Sequence, residues 1–112
     1  MQIMGKFQIF RSGKDEQYYY RLKASNGEPI LSGEGYKTRQ SCANGVASVQ
    51  ENAPYLIRYE KRNDSLNYTF VLRAANGEII GRSENYETSI ARDAGINSVG
   101  HNAPNASIEN IM

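Results

Sequence analysis

Two stretches of the chain alternate strictly. In QYYYRLKAS (Gln17–Ser25), Tyr18, Tyr20, Leu22 and Ala24 share one side; in NYTFVLRAA (Asn67–Ala75), Tyr68, Phe70, Leu72 and Ala74 do the same. A period of two with many aromatics predicts strands, and these sides are assigned to the core. The other sides, Tyr19, Arg21 and Lys23 with Thr69, Val71 and Arg73, are mostly polar. Asn-Gly follows each strand, which predicts a tight hairpin with positive φ at both turn residues, so that Ile30 and Ile80 begin return strands. Gly35 stands where the second stretch has Asn85, an exchange that predicts a left-handed backbone there.

The period then changes. Cys42, Val46, Val49 and Ala53 follow the i, i+4, i+7, i+11 spacing of one helical face, and Ile96, Val99 and Ala103 keep the later part of it. Thr38 and Thr88 suit N-caps, and Asn52 and Asn102 are expected to end the helices in left-handed geometry before Pro54 and Pro104. Phe7 and Ile9, aligned with Ile57 and Tyr59, predict a first strand in each half. The tail NASIENI (Asn105–Ile111) predicts one last strand.

These parallels are a duplication. Shifted by 50 residues without a gap, Tyr18–Pro54 matches Tyr68–Pro104 at 16 of 37 positions. A repeat of that length is compatible with a propeller blade, but two copies cannot close a propeller. A unit of ~50 residues buries too little surface to be solid alone. The expectation is therefore one domain, 1–112, of two repeats (about 1–54 and 55–112), packed on each other with pseudo-two-fold symmetry as a monomer. Gly45 and Gly95, kept inside both helices at a cost of roughly 0.5–1 kcal/mol each, predict close approach by a sheet tyrosine or by the sister helix.

Composition narrows the function classes. Thirteen Lys and Arg face twelve Asp and Glu: seven basic and five acidic residues up to Pro54, six and seven after it. Neither half is a basic arm or an acidic tail. No apolar run approaches the ~20 residues of a membrane span. The start MQIMGKFQIF lacks a leader pattern, and the single cysteine, Cys42, excludes an internal disulfide, so a cytoplasmic protein without membrane partners is expected.

Taken together, NGE-x-I, then Glu-x-Tyr, then a helix ending G-x-x-S-V-x-x-N-A-P resemble the YegP-like family of small bacterial and archaeal proteins. The resemblance covers nearly the whole chain. It implies an α+β fold: two tandem β(3)-α-β repeats sharing one antiparallel sheet with two helices packed on it. It also implies that the repeats exchange C-terminal strands, the segment near Ile57–Lys61 crossing over and Ser107–Ile111 returning. It carries no catalytic residues. One departure stands out: Arg92 and Asp93 replace Cys42 and Ala43, predicting a wetter face on the second helix.

Candidate chemistry is sparse. His101 has no matched partner and sits near a helix end; Cys42 lies on an apolar face and is expected to be buried and inert. Glu28/Glu78 and Glu34/Glu84 are paired by duplication and read as turn and strand-end groups. No dense cluster of metal-ligating residues occurs. No metal, no cofactor and no catalytic residue are expected, and the protein is not expected to be an enzyme. What remains is a surface. If the helices cover one sheet face, Tyr19, Arg21, Lys23 and Arg73 lie on the other. The expected function is a non-enzymatic binding or interaction module of unidentified partner. The alternative is weak single-stranded nucleic-acid binding through that face, and a third reading is hydrolase-like chemistry at His101.

Overall fold

Both alternating stretches are strands, and each opens a hairpin onto the sheet. In the computed structural model, which describes residues 5–111, the elements in chain order are β1 (Lys6–Arg11), β2 (Tyr18–Lys23), β3 (Pro29–Ser32), α1 (Arg39–Asn52), β4 (Tyr59–Asn63), β5 (Tyr68–Arg73), β6 (Ile79–Arg82), α2 (Ser89–Asn102) and β7 (Ser107–Asn110). The leader reading of Met1–Met4 lies outside the described residues. One sheet runs β4-β5-β6-β3-β2-β1-β7. It is mixed rather than wholly antiparallel, because β7 pairs with β1 in parallel, Phe7 opposite Ile108. A tight hairpin joins only antiparallel neighbours, and here β1 and β7 are connected through all the elements between them.

The two helices cover one face. Tyr20, Leu22, Phe70 and Leu72 meet Val46, Val49, Ile96 and Val99 there, all buried. α1 lies against β1 and β2 but also against β5 and β6, and α2 lies against β3 and β5. At the centre, Gly81 leaves the space that Leu31 and the Tyr20 hydroxyl enter, and that hydroxyl donates to the Ile80 carbonyl at 2.5 Å.

The helix signals read as expected at the N-termini: Thr38 Oγ1 accepts from the Ser41 amide and Thr88 Oγ1 from the Ala91 amide, each at 3.0 Å. The interior glycines face tyrosine rings. A Cβ on Gly45 would sit 2.7 Å from Tyr36 Cζ, and one on Gly95 equally close to Tyr86 Cζ.

Several local expectations need correction. The hairpins turn through three residues: Gly27 N–H donates to Ala24 O, only Gly27 and Gly77 take positive φ (87° and 90°), and the Asn26 side chain instead accepts from the Glu28 amide. The following register shift is the bulge that such a turn requires. Gly35 and Asn85 are not left-handed; Gly35 is small because Gln17 and the Tyr19 hydroxyl approach it. Nor do Asn52 and Asn102 end their helices in left-handed geometry. The backbone stays right-handed through Ala53 and Ala103, and both asparagines are buried and fully bonded. Asn102 Nδ2 donates to Ser98 O while its Oδ1 accepts from Gly5 N–H; Asn52 Nδ2 donates to Ser48 O while its Oδ1 accepts from Arg58 Nε. Each helix end thus grips the start of the other half's first strand.

The second first strand is also displaced. Tyr59 faces Leu72 as Phe7 faces Leu22, so Tyr59, not Ile57, takes the place of Phe7, and Lys61 takes that of Ile9. The β4–β5 turn is shorter than the β1–β2 turn, and Ile57 lies exposed in a 3-10 turn. Arg92 is not on a wet face. It is buried, with its guanidinium 5.4 Å from the Tyr68 ring centre and donating to Asn63 and, at 3.2 Å, to Asp93.

Candidate functional site

The sheet face away from the helices carries a row of side chains that are polar except for the buried Val71. Glu109, Gln8, Arg21, Ser32, Arg82, Val71 and Glu60 stand opposite one another from β7 to β4. Gln8 links the row at one end, donating to Glu109 at 2.7 Å and accepting from Arg21 Nε at 2.7 Å. Across the centre, Arg82 of the second repeat donates to Glu34 of the first at 2.8 Å. At the other end Glu60 receives Arg62 Nε at 2.7 Å and Arg73 Nη2 at 2.8 Å. These two guanidiniums, Arg62 foremost, hold the Glu60 carboxyl below its ordinary range.

Alternation placed Tyr19, Arg21, Lys23 and Arg73 on this face, and all four are half-buried strand residues there. The face does not bring them into one cluster. Tyr19, Arg21 and Lys23 line β2, whereas Arg73 stands on β5 beyond β3 and β6. Phe10, which the sequence reading missed, organises the β2 group. Its ring stacks on Tyr19 at 6.0 Å, and the Arg21 guanidinium lies 4.8 Å from its centre. The signal was present: Phe10 breaks the alternation begun by Phe7 and Ile9. The Tyr19 hydroxyl donates to Asp15 at 2.5 Å, which lowers the Asp15 carboxyl and raises the Tyr19 phenol. An aromatic pair beside guanidinium and ammonium groups can stack a planar ring and hold an anion.

Other candidates lie elsewhere. His101 is exposed on the last turn of α2. Cys42 is buried, and burial pushes its thiol up to about 11, which disfavours the thiolate a nucleophile needs. Among the described residues no three His, Cys, Asp or Glu side chains converge for a metal. Glu34 meets Arg82 rather than a second carboxylate. A shallow cleft of about 520 Å³ between the C-terminal end of α1 and the β5–β6 turn is lined by Glu51, Asn52, Tyr55 and Arg58.

A domain of unknown function, DUF1508, matches the chain twice, at residues 14–60 and 65–110. A UPF0339 protein from Stutzerimonas stutzeri is 47% identical over 60 residues, covering 54% of this chain and 53% of that protein, and YegP of Yersinia pestis is 45% identical over 64 residues, covering 57% and 56%. These matches span about half the length of those curated relatives. A Treponema denticola UPF0339 protein, 46% identical over 52 residues, is matched over 88% of its length and 46% of this chain. Among solved structures, Escherichia coli YegP superposes with a TM-score of 0.90 at 40% identity, covering 98% of this chain and 95% of that one. A UPF0339 protein from Shewanella oneidensis gives 0.89 at 39%, covering 96% and 91%.

Proposed function

The chain belongs to the DUF1508 family, whose domain it carries twice, and from that premise we propose that it is a binding module without catalytic chemistry, its ligand seated on the open sheet face. The reading also takes 1–54 and 55–112 as two β(3)-α-β repeats of one domain that exchange the strands following their helices. Support for the exchange comes from β7, which follows α2 of the second repeat and lies against β1 of the first. The sister repeat occupies the position a second subunit would take, so the working unit is a monomer. A buried, unpaired cysteine agrees with the cytoplasm, and no helix among the described residues is long and apolar enough to cross a membrane.

The observation that carries the reading is the Phe10–Tyr19 pair with Arg21 laid over it, on a face that also holds Lys23, Arg73 and Arg82. The repeated motif residues offer no alternative. Asn26, Gly27, Gly45 and Asn52 are each accounted for by a turn, a ring contact or a buried clasp. The same observation favours single-stranded nucleic acid as the ligand class, since bases stack and phosphates pair with guanidinium. The expected affinity is weak, because Glu60, Glu34 and Glu109 already engage part of the positive charge.

Fluorescence anisotropy with labelled oligo-dT and oligo-rU at low salt tests it. Binding should weaken linearly with log salt, and Arg21→Glu/Arg73→Glu should abolish it; neutral Gln replacements should flatten the slope by about 1.4, at ~0.7 per phosphate contact. No binding at low salt ends the nucleic-acid reading. Capture from lysate, with mass spectrometry of protein and nucleic acid, then tests the open face itself: identical captures by the parent and the double variant would overturn it.

A further inference from the structure

The pseudo-symmetry fails at one place. β1 has a strand on each side, β2 and β7, while β4, which takes the equivalent position in the second half, pairs only with β5 among the described residues. On the first half, β7 and the 3-10 turn before it (Ala103–Asn105) lie beside β1 and against α1, with Gln50 donating to the Ala103 and Ala106 carbonyls at 3.3 Å. On the second half the corresponding seat is an open groove of about 270 Å³ between β4 and α2, lined by Leu56, Tyr59, Lys61, Asp93, Ile96 and Asn97.

Exposed apolar side chains gather on this second half. Leu56 is 73% exposed and Ile57 84%, where the first half's connection has Ala106, which is buried, and Ser107. Leu66 in the β4–β5 turn and Ile90 on the first turn of α2 are exposed as well. Apolar groups beside an unpaired strand edge mark a place where another strand is added.

We propose that the β4 edge binds an extended peptide segment of a partner protein, added parallel to β4 as β7 is added to β1. The contact already present sets the recognition pattern. β7 places Ile108 opposite Phe7 and Asn110 opposite Ile9, and the Ile9 carbonyl accepts from the Ile111 amide at 2.8 Å. Transferred to β4, an apolar side chain lies opposite Tyr59, above Leu56 and Ile96. Two residues on, an amide or carboxylate oxygen meets the Lys61 ammonium, which Asp93 holds in place at 3.2 Å. By the same transfer, the Lys61 backbone N–H and C=O point outward to the incoming strand. A second copy of this chain fits less well. Two-fold pairing of β4 with itself is antiparallel, unlike the β1–β7 seam, and when centred on Lys61 it sets the two Lys61 side chains against each other. This site is separate from the open face, so the two proposals stand or fall on different variants.

The probe is a labelled nonapeptide of the chain's own tail sequence, Ala-Pro-Asn-Ala-Ser-Ile-Glu-Asn-Ile, titrated into the full-length protein and followed by amide NMR shifts and anisotropy. Shifts are expected at Tyr59–Arg62, Asp93 and Ile96. Leu56→Asp, a change at an exposed position, should weaken binding at least tenfold. Lys61→Pro should remove an outward N–H while sparing the β4–β5 ladder and abolish binding; Lys61→Ala should retain most of it. A peptide carrying Asp in place of its first isoleucine should not bind. No shifts at millimolar peptide, shifts confined to β1 and β7, or unchanged binding by Leu56→Asp would overturn the proposal. So would a concentration-dependent dimer that buries the same residues.

Discussion

At Gly45 a single methyl group decides between two effects of opposite sign. Alanine is the better helix former by about 1 kcal/mol. The Tyr36 ring, however, stands where the new carbon would go, and its backbone is pinned to Tyr18 by an isolated β-bridge. Overpacking of this kind costs about 1–3 kcal/mol, so Gly45→Ala should destabilise in urea titrations. In a Tyr36→Ala background the same change should stabilise; no reversal of sign would mean that the ring is not why glycine is kept. The asparagines differ in what their loss exposes. Asn102→Ala strands the Gly5 amide, a buried donor, at about 1–3 kcal/mol. Asn52→Ala releases Arg58, a half-buried side chain whose guanidinium can turn to water, as a backbone amide cannot. Thermal melts should therefore rank Asn102→Ala as the worse variant, and equal losses would argue against the clasp.

Among the elements, periodicity revealed β2, β5 and both helices, because each buries one face and the burial is written in the spacing of Tyr20, Leu22, Val46 and Val49. Pairing was less visible. The two-residue displacement of β4 follows from the shorter turn between it and β5, and no property of Ile57 or Tyr59 alone says which faces Leu72. The displacement also hid Glu60 as the partner of Arg73, since that contact depends on the corrected register. The asparagines after the helices looked like terminators because Asn tolerates left-handed backbone. Their buried amide groups answer instead to strands distant in sequence, a contact no local window contains. The open face was half legible: Tyr19, Arg21 and Lys23 follow from alternation, while Arg82 replaces a serine of the first repeat and gains its role only from Glu34 across the centre.

For the whole molecule, the decisive feature is that the core is shared between the halves. Tyr20 donates to Ile80, Leu31 fills the space at Gly81, and each helix lies on strands of both repeats. A Met1–Pro54 fragment loses β6 and β7 together with half of that interior. At micromolar concentration it should show no cooperative thermal transition as a monomer; a sharp, concentration-independent melt would refute the shared core. The parallel β1–β7 seam has a temporal consequence as well. Gln8 and Glu109 are 101 residues apart in the chain, so at ~5–20 residues per second of synthesis the ribosome spends about 5–20 seconds between them. Throughout that interval the nascent β1 has no outer neighbour. A cell translating this message therefore holds a bare strand in front of its chaperones, and slowing translation should lengthen the time for which they can hold it.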